Sequence, residues 1–216
     1  VDALIDSIPR FVDGFEMTLL LAVVSGALSL VLGVVLAALR VAPLRSLRVV
    51  ATVYVETVRN TPLTLVFIFY VFVLPTLGFV LPLGRVPAII ALTTYTSAFV
   101  CEAVRSGINS VSTGQAEAAR AIGLGTVATL RLVVLPQALR SVVPPLINVL
   151  IALTKNTSVA AGFAVIELTS TGRSLARDNP SDVLLLLGGI AVCYLIITIP
   201  AGLAAGAVER RVVFSR

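Results

Sequence analysis

A lysine followed by three neutral hydrogen-bonding residues, Lys155-Asn156-Thr157-Ser158, stands near the centre of a long apolar stretch. A cation at mid-span costs about 2.5 to 3.5 kcal/mol on insertion scales, so its side chain must face a cavity, a partner or a ligand. Lys155 can meet a substrate carboxylate there, or it can close an ion pair with an acidic residue of this or another subunit, such as Glu102. Asn156, Thr157 and Ser158 add donors and acceptors without charge. Such groups beside a cation admit an anionic ligand more readily than an acidic neighbour would. Glu102 and Arg105 are three apart on one helix face and can pair with each other or with neighbours, which fits a structural or gating role. Thr93, Thr94, Tyr95, Thr96 and Ser97 supply consecutive hydroxyls, placed to line a path or to bond back to the preceding turn. No nucleophile stands at a recognisable spacing from a base, and the chain has no histidine. Cys101 and Cys193 lie inside apolar runs without metal-ligand spacing, so disulfide frameworks and zinc chemistry drop out.

A second constellation runs from Ser112 to Pro136, STGQAEAARAIGLGTVATLRLVVLP. Ser112 with Gln115 three residues on has the form of a capping box, which starts a helix. Gln115 to Ile122 is rich in good helix formers, and Gly123 and Gly125 let the chain leave the helix through a left-handed conformation. Alanines at 116, 118, 119 and 121 keep this short helix slim enough to sit in another protein's groove, with Glu117 and Arg120 offering charge. It is either a docking element or a plain connecting helix.

The elements that must hold these residues are membrane spans. Of 216 residues 58% are hydrophobic and 12% charged, with mean hydropathy +1.06, too apolar for a domain with a polar skin. A net charge of +5 would raise nucleic-acid binding in a soluble protein. Here the arginines gather in particular loops, as the positive-inside rule expects, and aromatics for base stacking are sparse, so no nucleic acid is expected. Residues 1–16 pattern as an amphipathic interfacial helix, and they lack the basic start and early apolar core of a signal peptide. Five spans are expected, at about 17–39, 60–84, 86–111, 141–165 and 183–208, each long enough for a core of about 30 Å. The loop at 112–136 lies between the third and fourth. Arg59-Asn60-Thr61-Pro62 reads as a helix entry with Asn60 or Thr61 as its cap. Arg40, Arg45 and Arg48 after the first span, and Glu209-Arg210-Arg211 after the last, place the amino terminus outside and the carboxy terminus in the cytoplasm. One all-α membrane domain over 1–216 follows.

Glu117-Ala118-Ala119, Gly123 and Leu135-Pro136 resemble the EAA loop of ABC importer permeases, the segment that forms the coupling helix against the ATPase. Arg59-Asn60-Thr61-Pro62-Leu63, Glu102-Ala103-Val104-Arg105-Ser106-Gly107-Ile108, Leu135-Pro136-Gln137-Ala138 and Lys155-Asn156-Thr157-Ser158 extend the likeness over nearly the whole chain. They resemble the polar amino acid ABC permeases of the histidine, glutamine and glutamate type, most nearly the actinobacterial glutamate-uptake permeases. Many relatives carry Asp where this chain has Asn156, a departure that fits an acidic or amide substrate.

The resemblance implies a type I ABC importer permease fold in a bacterial inner membrane. It implies a second permease subunit, identical or not, a cytoplasmic ATPase dimer that holds ATP-Mg and does the hydrolysis, an external solute-binding protein and an amino acid substrate, glutamate first. The chain has no Gly-rich phosphate loop of its own and needs no cofactor. On this resemblance Lys155 takes the substrate α-carboxylate, Asn156 lies near its side chain, and Thr157, Ser158, Tyr95 and Glu102 complete the candidate site. Gln115, Glu117, Ala118, Ala119, Arg120 and Gly123 are the candidate coupling residues. The alternatives are an ion-coupled secondary transporter, which would need no docking helix, and a non-transporting scaffold, which substrate-stimulated ATP hydrolysis would exclude.

Overall fold

The computed structural model describes residues 2–213, with side chains at 4–207 and at Arg210. The side chains of Asp2, Glu209 and Arg211, which belong to the terminal charge patterns above, lie outside the described residues. All regular structure among the described residues is helical. A short helix α1, Asp2–Asp6, is followed by α2, Ile8–Arg40. At about 1.5 Å per residue α2 is about 50 Å long, so the expected interfacial helix is, from Ile8 on, simply the first turns of the first span. Pro9 does not stop it, because the first turn needs no N–H there.

Helix α3, Arg45–Arg59, was not expected as a separate element. Its apolar side buries Ala51 and Val55 against Leu36 and Ala37 of α2, and Arg45, Arg48 and Arg59 stay exposed. After α3 the chain turns by 109° into the helical run Leu63–Thr76. This comprises α4 (Leu63–Ile68), a wider-wound π segment (Phe69–Val73) and α5 (Leu74–Thr76). The run rises only about 21 Å, too short to cross alone, and with α3 it makes a bent pair that passes as one broken span by length and composition. The bend is written in Asn60-Thr61-Pro62. Proline pushes the residue before it out of the helical region, and the two polar side chains close the helix that is ending. Asn60 Nδ2 donates to the Glu56 carbonyl at 2.7 Å, and Thr61 Oγ1 to the Thr57 carbonyl at 2.7 Å. The expected helix entry is therefore a helix exit.

Helix α6, Arg85–Asn109, is the axis of the bundle, packing on α2, α3 and α4. It approaches α2 so closely that a Cβ on Gly33 would stand 2.5 Å from Val100 and 2.8 Å from the Ser97 carbonyl oxygen. The short helix α7, Thr113–Ala121, follows. Next comes one long helical run, built of α8 (Thr126–Thr129), a second π segment (Leu130–Val134) and α9 (Leu135–Asn156). It starts at Thr126, inside the segment expected as loop. Both π segments precede a Leu-Pro pair, and in both the leucine donates its N–H five residues back, Leu74 to Phe69 and Leu135 to Leu130. An extra residue in the turn makes room where the ring of Pro75 or Pro136 would press on the preceding carbonyls.

Past α9 a tight 3-10 stretch, Thr157–Phe163, ends at Ala164 in the left-handed region, φ 60°. Then come α10, Leu168–Asp178, and α11, Val183–Val213. Helix α10 clips onto the start of α2: Arg10 pairs with Asp178 at 2.8 Å, and the Leu168 N–H donates to Thr18 Oγ1 at 3.2 Å. Glu167 is fully buried at the start of α10, accepting from the Ser170 N–H at 2.9 Å and from the Tyr194 hydroxyl of α11 at 2.8 Å. Among the described residues four helical runs are long and apolar enough to cross a membrane, or five if the bent pair counts as one span.

Candidate functional site

Helix α7 stands out from the bundle as a capped, largely exposed element. Ser112 Oγ accepts from the Gly114 N–H at 3.3 Å, while the Gln115 N–H goes to the Ser112 carbonyl at 3.0 Å. The cap is therefore real but falls one residue earlier than the expected Ser112–Gln115 box. At the other end the Gly123 N–H returns to the Arg120 carbonyl at 3.0 Å and the Leu124 N–H to the Ala119 carbonyl at 3.1 Å. This is a Schellman turn, and it requires the left-handed backbone that Gly123 adopts at φ 91°. Gln115, Glu117, Ala118 and Arg120 are exposed, whereas Ala119 is buried and backs the helix against its own chain. Ile122 is 81% exposed and Val127 78%, so the helix end presents an apolar knob.

At the foot of α6, Glu102 is surrounded by arginines. Arg40 donates to Glu102 Oε1 in a close contact, Arg105 stands 3.1 Å and Arg59 3.6 Å from Oε2, and Arg40 also reaches Glu56 at 3.6 Å. Three helices, α2, α3 and α6, are tied at one point. The alternative of a Lys155–Glu102 pair within this chain is not realised, and among the described residues Lys155 has no carboxylate within 4 Å. The sequence signal reached only Glu102 and Arg105, because Arg40 and Arg59 read as charge markers at helix ends rather than as partners.

The remaining candidates meet where α6 faces α9. A cavity of about 130 Å³ is lined by Tyr95, Thr96, Phe99, Val149, Ala152, Leu153 and Asn156. Tyr95 and Asn156 thus line the same cavity. Arg59 lies over the ring of Phe99 at 5.7 Å, which joins the cavity wall to the arginine cluster. Lys155 is exposed beside it in the last turn of α9, on one face with Asn148 and Ala152. Thr157 and Ser158 serve the backbone instead: their hydroxyls donate to the carbonyls of Thr154 and Lys155, both at 2.7 Å, and close the end of α9. Of the other hydroxyls, Thr94 meets Tyr70 at 2.9 Å, and Ser97 donates to the Thr94 carbonyl at 2.9 Å and contacts Tyr54 at 3.0 Å.

Residues 29–214 match the family model described as binding-protein-dependent transport system inner membrane component. The chain belongs to that family. It is a multi-pass inner-membrane permease component, of the polar amino acid ABC type. Among its relatives, the glutamate transport system permease protein GluC of Corynebacterium efficiens is 42% identical over 210 residues, covering 92% of each chain. The probable glutamine ABC transporter permease protein GlnM of Bacillus subtilis is 40% identical over 212 residues, covering 98% of this chain and 97% of the relative. In three dimensions the permease is similar to a crystal structure of an amino acid ABC transporter with histidines. The TM-score is 0.89 at 27% identity, with 96% of both chains covered. The permease thus carries both constellations on one frame, with α7 sitting between the axial helix α6 and the run that ends at Lys155-Asn156.

Proposed function

We propose that this permease moves acidic amino acids, glutamate first, through a path beside Tyr95, Lys155 and Asn156, driven by an ATPase dimer that grips α7. The observation that carries the substrate reading is the face of α9 bearing Asn148, Ala152 and Lys155, which is polar, exposed and within a span. A lysine and an asparagine turned to hydrocarbon would be costly, so this face meets a second permease subunit and the aqueous path between the two. A cation beside a neutral amide, with no carboxylate within 4 Å among the described residues, favours an anionic ligand. Lys155 takes the α-carboxylate, and the Asn156 cavity receives the side chain. Glu102 acts through the arginine cluster rather than on the substrate.

Helix α7 carries the energetic half of the reading. An exposed helix rigidly closed at both ends, with Ile122 projecting beside it, is shaped to enter a groove on a partner. ATP-Mg bound and hydrolysed on that partner would supply the work, and an external solute-binding protein would deliver the amino acid. The cytoplasm then lies on the α7 side, with the amino terminus outside and the carboxy terminus inside. Uptake by proteoliposomes holding the permease, its ATPase and a solute-binding protein tests the substrate. Glutamate uptake that unlabelled glutamate or aspartate suppresses, and arginine does not, is the expected result. Preferential uptake of a cationic amino acid would overturn it.

A further inference from the structure

From Thr61 to Gly84 the chain carries no charge, a stretch long enough to cross a membrane as one helix, yet the helical run ends at Thr76. The next eight residues, Leu77-Gly78-Phe79-Val80-Leu81-Pro82-Leu83-Gly84, have no polar side chain among them and form neither helix nor strand. Gly78 at φ 90° and Gly84 at φ 103° turn the chain near either end, in a conformation that other residues rarely adopt. Between these turns Phe79, Val80 and Leu83 are 65 to 78% exposed. The Phe79 N–H returns to the Leu74 carbonyl at 3.2 Å, but the N–H groups of Val80, Leu81 and Leu83 have no partner among the described residues. The segment lies at the start of α6, at the end of that helix away from α7.

Side chains and backbone here ask for different surroundings. A contiguous exposed apolar patch marks contact with a membrane or a partner. Unpaired amides, however, do not lie in hydrocarbon, where no water satisfies them. The boundary of the bilayer meets both needs, with the side chains in lipid and the amides in the hydrated headgroup layer. A solute-binding protein that comes and goes would return the patch to water in every cycle, at a cost of about 25 cal/mol for each Å². Arg85, exposed and next in sequence, ends the apolar segment with a cation suited to lipid phosphate. We propose that residues 77–84 are a membrane-interface anchor, inserting Phe79, Val80 and Leu83 into the phospholipid leaflet farther from α7. The anchor fixes the depth at which α6 begins, and with it the level of Tyr95 on the same helix. It holds whichever amino acid the permease carries.

The chain contains no tryptophan, so Phe79→Trp gives the permease a single indole. The permease–ATPase complex is placed in phospholipid nanodiscs, and the emission of the wild-type complex is subtracted to remove that of the ATPase. Phospholipid brominated just below the headgroup is expected to quench most of the added emission. Phospholipid brominated at the chain ends, and iodide in the water, should each quench little of it. Val80→Trp and Leu83→Trp are expected to report the same shallow depth, and they serve in its place if Phe79→Trp does not fold. Quenching by iodide without quenching by brominated lipid would put the segment in water and overturn the proposal. Stronger quenching from the chain ends would overturn it too, by placing the segment in hydrocarbon. Resistance to both kinds of quencher would show the patch covered by a second permease subunit. An emission change on adding solute-binding protein, with no quenching by lipid, would make the patch a docking surface for that protein. Either result overturns the anchor.

Discussion

At the scale of single residues, two charged side chains that look alike in the sequence have opposite tasks. Glu102 is neutralised by Arg40, Arg59 and Arg105 around one partly buried carboxylate, while Lys155 stands exposed with no such neighbour among the described residues. Replacing Glu102 by Gln leaves three guanidinium groups facing one another. The loss should be about 2 kcal/mol, between the fraction of a kcal/mol of an exposed pair and the several of a fully buried one. A lower melting temperature of the detergent-solubilised complex, with the apparent affinity for glutamate unchanged in the material that remains folded, is the expected outcome. A weakened affinity at unchanged melting temperature would instead make Glu102 a substrate contact. For Lys155→Ala the expectation is reversed: assembly and melting hold, and glutamate affinity falls roughly 10- to 100-fold, as loss of a charge-assisted contact does. Unchanged uptake affinity would remove Lys155 from the site.

Helices were legible in this sequence to the extent that their boundaries are set by local chemistry. The apolar cores of α2, α6 and α11 announce themselves by length alone, and the cap at Ser112 and the turn at Gly123 fix α7 to within a residue. Helix α3 was missed although Ala51, Tyr54, Val55 and Val58 recur at helical spacing, because its arginines read as a loop marking one side of the membrane. The role of Asn60 and Thr61 was reversed for a related reason. A polar residue before proline can close one helix or open the next, and only the direction of the side chain decides. Thr157 and Ser158 likewise resemble site residues until their hydroxyls are seen on backbone carbonyls. Close packing is a further feature without a sequence signature. A Cβ on Gly107 of α6 would stand 2.3 Å from Val142 Cγ2 and 2.8 Å from Val142 Cα of α9. Since backbone cannot yield as a side chain does, Gly107→Val should cost about 1–3 kcal/mol or more by forcing the two helices apart. The expected result is a sharply lower yield of folded permease by size-exclusion chromatography, and a monodisperse, wild-type-like profile would contradict this packing.

Across the whole molecule, the two constellations are joined by continuous structure. Helix α6 carries Tyr95 and Thr96 on the cavity and runs on to the arginine cluster and then to α7, while the run from Thr126 returns from α7 to Asn156. On the proposed reading, a push on α7 is passed to both walls of the cavity, to α6 from one side and to α9 from the other. The wider turn before Pro136 lies on the second of these routes. The proposed function has a partner take hold of α7, and Ile122, the residue that caps its end, is 81% exposed. The most direct measurement is ATP hydrolysis by the reconstituted complex with glutamate-loaded binding protein, comparing wild type with Ile122→Asp. The account predicts that loaded binding protein accelerates hydrolysis in the wild type, and that Ile122→Asp abolishes both this acceleration and glutamate uptake while the permease itself remains folded. Uptake and stimulation that persist at wild-type levels in Ile122→Asp would contradict it.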